Sequence, residues 1–234
     1  MPSNKYCFLL FVIALSAVHV IHGKVHGVRY TVTNNASGSA GGSIFDSHVG
    51  APYTKQAMSR ATRFIWKTFR QQNDATQRKH VRKIDFFLDI MEDGIAYSID
   101  NDIHLSASYL GTTTSAPPRV LVASEIYHEM THVWQWNGGG ATPLGLIEGI
   151  ADFIRMKAGY ESTSSPVRLG EGDRWDQGYG VTAGFLGYCD GLKRGFVGKL
   201  NEKMRFGYSE TYFRDLLGKD VDSLWSEYKA KYKS

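Results

Sequence analysis

The chain has 234 residues, 42% of them hydrophobic and 21% charged, with a net charge of +4. This composition fits one compact domain with an ordinary core and excludes a disordered chain. No basic cluster is interleaved with aromatics, which excludes nucleic acid as a partner, while the mild positive charge suits association with acidic cell-wall polymers.

Lys5 precedes an apolar run from Cys7 to Val18, followed by small or polar residues. That is the layout of a secretory signal peptide. The run is shorter than the ~20 residues needed to cross a bilayer, and no other stretch is long and apolar enough. We expect a signal peptide over 1–23, cut after Gly23 with Gly27 as the second candidate, and one domain over 24–234. The protein is therefore expected outside the cell, as a monomer and not in a membrane. Removing the leader takes away Cys7 and leaves Cys189 alone, so no intrachain disulfide is expected. Asn35-Ala36-Ser37 is an N-glycosylation sequon, meaningful because the chain reads as secreted.

Residues 28–34 alternate like a strand, and the Ser/Gly-rich ASGSAGG ends it. Ala57, Ala61, Phe64, Ile65, Trp66 and Phe69 carry a helical period over about 53–72. After a polar connection come three strand-like runs, Lys83–Met91, Gly94–Ile99 and Ile103–Tyr109. The turns EDG and DND predict hairpins, hence a small antiparallel sheet. The last run is expected to be an edge strand able to pair with an extended peptide, with His104 facing solvent. A helix is expected from Val120 to Trp136. Another starts at Thr142-Pro143, with proline in its first position, and runs to about Lys157. The C-terminal third reads as mostly helical, with Leu224, Trp225, Tyr228 and Tyr232 spaced for core packing. The fold class is α+β.

Residues 127–140, YHEMTHVWQWNGGG, carry the chemistry. On a helix His128 and His132 lie one turn apart on one face, where two imidazoles can bind one tetrahedral zinc ion. Glu129 lies ~100° round the helix, placed to take a proton from activated water instead of binding the metal. Glu125 reads as ordinary helix-surface charge. Zinc needs a third protein ligand and an open fourth position. On the next helix Glu148 and Asp152 lie four apart beside an apolar face made of Leu144, Ile147, Ile150, Ala151, Ile154 and Ala158. Two acids at that spacing repel unless a cation lies near. Glu148 as a zinc ligand, with Asp152 hydrogen-bonding the far nitrogen of a zinc histidine, accounts for both. The competing reading is a plain ion-pair network neutralised by Arg155. Tyr179 is a candidate hydrogen-bond donor to the oxyanion of peptide hydrolysis, with simple packing as the alternative.

The segments HEMTHVWQWNG, GLIEGIADFIRMKAGY, GDRWDQGY, NEKMR and LWSEYKAKYK resemble the plant basic secretory proteins, a family of zinc peptidases linked to plant defence. The likeness runs from about Tyr30 to Lys233. It implies a zincin-like fold, an extracellular location and a peptide or protein substrate. It also implies His128 and His132 as zinc ligands, Glu129 as the base and, less directly, Glu148 as the third ligand. The chain departs from the family at Gly180, Gly184 and Gly187, where polar or charged side chains are expected. In a helix each glycine costs about 1 kcal/mol relative to alanine, so restoring arginine at Gly184 and aspartate at Gly187 is expected to stabilise. The reading from another class is a secreted defence or cell-wall binding protein that keeps zinc only as structure.

Overall fold

The computed structural model describes residues 27–232. The expected leader and its cleavage lie outside the described residues. Strand β1 (Arg29–Asn34) leads through a short helix α1 (Ala40–Ile44) and a wider π-helical turn into α2 (Gly50–Thr68). Three further strands follow, β2 (Lys83–Asp89), β3 (Ala96–Ile99) and β4 (Asp102–Ser106). The chain then forms α3 (Ala107–Thr112), α4 (Pro118–Trp134) and α5 (Leu144–Lys157). It ends in α6 (Tyr179–Leu192), α7 (Phe196–Lys203), α8 (Thr211–Leu217) and α9 (Val221–Tyr232).

The class is α+β as expected, but the sheet is mixed, not antiparallel. Its order is β1-β2-β4-β3, with β1, β2 and β4 parallel and only β3 antiparallel to β4. DND is a true hairpin turn, with Asp100 left-handed at φ 53°. EDG is not, because β4 lies between β2 and β3. Alternation identifies the buried face of a strand; it carries no information on strand order or direction. Two corrections follow. The run Ile103–Tyr109 is no edge strand: β4 is interior, Ser106 caps α3, and the edge beside β4 is β3. His104 is half-buried between the rings of Phe87 and Tyr97, with Nδ1 2.6 Å from Asp89.

One face of the sheet is buried. Ile84, Phe86 and Leu88 of β2 and Ile103 and Leu105 of β4 join Ala57, Met58, Ala61 and Ile65 of α2 in one core. Val122, Ile126, Met130 and Val133 of α4 belong to the same core. Pro118 opens α4, where its missing N–H costs nothing. Pro143 precedes α5 as its cap instead of occupying its first turn. Helix α5 packs against both α4 and α6. Its buried side is accordingly Leu146, Ile150, Ala151, Phe153 and Ile154, while Leu144, expected inside, is exposed.

Beyond it Trp175, Phe185, Phe213, Trp225 and Tyr228 form an aromatic cluster that includes Trp225 and Tyr228 of the predicted C-terminal core. The helix over residues 179–192 is present, but its glycines are not idle. A Cβ at Gly180 would stand 2.6 Å from the Ser165 carbonyl oxygen, and one at Gly184 2.7 Å from the Tyr228 hydroxyl. The expectation that a side chain would stabilise is therefore overturned at Gly184. At Gly187 the nearest group is the flexible tip of Met156, at 3.4 Å.

Candidate metal centre

Helix α4 runs through the protein with both sides covered, so its polar residues are buried among apolar ones. His128 and Glu129 are only 5% and 4% exposed. After Gln135 the chain turns through Gly138, Gly139 and Gly140, all at positive φ, which side-chain-bearing residues rarely adopt. This reversal brings α5 back across the histidine face of α4.

The result is a compact set of donor atoms. His128 Nε2 lies 3.1 Å from His132 Nε2 and 3.2 Å from Glu148 Oε2. His132 Nε2 lies 3.6 Å from that same oxygen. Tetrahedral zinc with ligand distances of ~2.0–2.1 Å holds its ligand atoms about 3.3 Å apart. The three separations suit such an ion, and these residues are the group among the described residues that could hold a metal.

The surrounding bonds orient the donors. Asp152 Oδ1 accepts from His128 Nδ1 at 2.6 Å, which turns Nε2 toward the other two ligand atoms. Gln135 Nε2 stands 3.1 Å from His132 Nδ1 and donates to the Ile147 carbonyl at 3.2 Å, tying the end of α4 to α5. Arg155 does form an ion-pair network, but not with Glu148. It donates to Asp152 and to Glu125 (3.0 Å). Glu125 is thus no surface charge: it is 6% exposed and faces the Tyr109 hydroxyl at 3.5 Å. Burial pushes its carboxyl above the usual range despite Arg155.

The carboxylates around His128 also favour its protonated form. Burial by itself would lower the pKa of His128, but the Asp152 and Glu148 carboxylates outweigh it and raise the value to about 9. Burial opposes ionisation of Glu148 too, yet the two imidazoles draw its pKa down to about 2.

The site opens into a cavity of about 580 Å³ lined by His128, Glu129, His132, Glu148, Tyr179 and the edge strand β3. Glu129 Oε2 has no hydrogen-bond partner. Tyr179 begins α6 in a left-handed conformation (φ 43°), and its ring lies parallel to that of His128 at 6.2 Å. Of the residues named from sequence, His128, His132, Glu148, Glu129 and Tyr179 all meet at this cavity. Sequence reasoning missed Gln135 and Lys79, which also line it. Gln135, one turn after His132, was open to discovery by helical spacing. Lys79, from a distant polar connection, was not.

Residues 25–228 match a family described as peptidases of plants and bacteria. The chain belongs to this basic secretory protease family. Within it, a basic secretory protease of Boswellia serrata is 43% identical over 58 residues. That stretch is 25% of this chain and 66% of the relative, so the chain spans just under two thirds of that relative's length.

Proposed function

We propose that this chain is a secreted, zinc-dependent endopeptidase with a zincin-like fold, acting on peptide or protein substrates in plant defence. The observation that carries the reading is the convergence of His128, His132 and Glu148 beside the unpartnered carboxylate oxygen of Glu129. Membership of a peptidase family supports it. Zinc held by the three residues would supply a Lewis acid that acidifies water and polarises a peptide carbonyl.

This chain's own groups do the rest. Glu129 takes the proton from the attacking water and passes it to the leaving amine. The Tyr179 hydroxyl donates to the carbonyl oxygen as negative charge develops there. Asp152 keeps the His128 proton on Nδ1. An extended substrate adds to the edge strand β3. Ser106 N–H donates to the Ile95 carbonyl, so by antiparallel alternation Ala96 and Ser98 turn their N–H and C=O groups outward, toward the cavity they line.

A site serving only structure would be closed around its metal, and the 580 Å³ cavity disfavours that reading. Asn35, exposed at the end of β1, would carry the glycan of the secreted form. The test is Glu129→Gln. Zinc content and melting temperature should change little, while chelator-sensitive peptide hydrolysis falls at least ~100-fold. Parallel loss of zinc or stability would make Glu129 structural, and a wild type without chelator-sensitive cleavage would end the peptidase reading.

A further inference from the structure

The floor of the cavity is acidic, with Glu125, Glu129 and Glu148 all lining it. Two full-time cations line it as well, Arg155 and Lys79. Arg155 is committed to Glu125 and Asp152. Lys79 has no carboxylate partner among the described residues. Its Nζ makes one long contact, 3.4 Å to the backbone carbonyl of His132, and stands 5.9 Å from the ring centre of Trp136. An ammonium has three donors, so most of its hydrogen-bonding capacity is unspent. Removal from water without a nearby carboxylate lowers its pKa, which marks a cation lacking a counter-ion.

Capping a carbonyl at the end of α4 is the simplest role for such a lysine. That role needs neither partial burial nor a place on the cavity wall. We propose that Lys79 forms an anionic subsite of the cleft, binding a substrate carboxylate close to the scissile bond. The carboxylate comes either from an acidic side chain or from the substrate's C-terminus. Away from the metal centre, Lys79 is the cavity-lining cation without a carboxylate partner among the described residues, so the subsite also fixes which way a peptide lies. The proposal rests on the peptidase reading, since it places the carboxylate relative to a bond being cut.

The test separates the two ideas by measuring binding apart from cleavage. The protein is the zinc-loaded mature chain carrying Glu129→Gln, with and without Lys79→Gln, Lys79→Arg or Lys79→Glu. The probes are fluorescent peptides in matched pairs, with Glu or Gln at each successive position, and with a free or amidated C-terminus. Anisotropy should show an acid preference of about tenfold at one position, the scale of a charge-assisted hydrogen bond. Lys79→Gln should abolish it, Lys79→Arg retain it and Lys79→Glu reverse it, with zinc content unchanged. Preference at an internal position identifies a side chain; preference for the free end identifies a terminal carboxylate. Because each value is a ratio, partial loss of stability does not mimic the result. Equal binding of the paired peptides, no peptide binding, or a preference that survives in Lys79→Gln overturns the subsite. Selective binding by the Glu129→Gln chain, with no cleavage by the otherwise identical Glu129 chain, would leave it standing and remove the peptidase reading instead.

Discussion

Asp152 Oδ1 lies 2.6 Å from Nδ1 of His128, and Arg155 donates to the same oxygen. One carboxylate thus orients a candidate ligand while being held by a buried cation. Asp152→Asn keeps the shape and weakens the acceptor, so zinc affinity should fall about 10–100-fold. Glu148→Gln removes a charged donor from the cluster itself and should weaken zinc by a larger factor. Titration against a competing chelator measures both. Equal, small losses would move the third ligand elsewhere.

The pH dependence of the metal-free protein follows from the same contacts. Glu148 is held near pKa 2 against an ordinary 4.5, so its contribution is complete above 4.5 and lost as pH falls through about 2. His128 is held near 9 against 6.5, so its contribution is complete below 6.5 and lost as pH rises through about 9. For this pair, stability of the metal-free chain should therefore be greatest between about pH 4.5 and 6.5. Zinc must displace the proton on His128, so apparent affinity should climb up to ~tenfold per pH unit until about pH 9. Calorimetry in buffers of different ionisation enthalpy should count the released proton near neutrality. Zinc affinity independent of pH between 6.5 and 9 would contradict this.

The glycines of α6 should separate by position. Gly184→Arg drives a side chain into the Tyr228 hydroxyl, which accepts from the Gly170 N–H. Overpacking there should cost about 1–3 kcal/mol. Gly187→Ala meets only Met156 and should gain up to ~1 kcal/mol of helix propensity. Thermal melts of the two variants check the contrast. Stabilisation by both would mean that Tyr228 moves aside freely.

How far the site was legible depended on whether its geometry is local. His128, Glu129 and His132 lie within five residues on one helix, so spacing alone places them. Glu148 and Asp152 lie on the next helix, and their mutual repulsion pointed to a cation. The mixed sheet was not legible, because the pattern in 83–109 marks which side chains face the core and is the same for either strand order. The burial of Glu125 escaped for a related reason. A charge on an isolated helix reads as solvated, and only its tertiary partner, Arg155, permits it to be inside. Lys79 joins the cleft through packing between segments more than 50 residues apart, for which the sequence has no local sign.

Tyr179 offers the sharpest test of the chemistry. Its ring lies parallel to His128 and its side chain is partly exposed in the cleft. Tyr179→Phe removes only the hydroxyl, so ring packing, zinc content and melting temperature should stay the same. If that hydroxyl bonds the carbonyl oxygen as charge develops, its loss falls on the transition state and not on substrate binding. We expect kcat to drop by about 100-fold with KM little changed, the pattern of a lost oxyanion donor. A rise in KM with kcat intact would make Tyr179 a wall of the binding cleft. No change in either would make it a packing residue against His128, leaving oxyanion stabilisation to the metal alone.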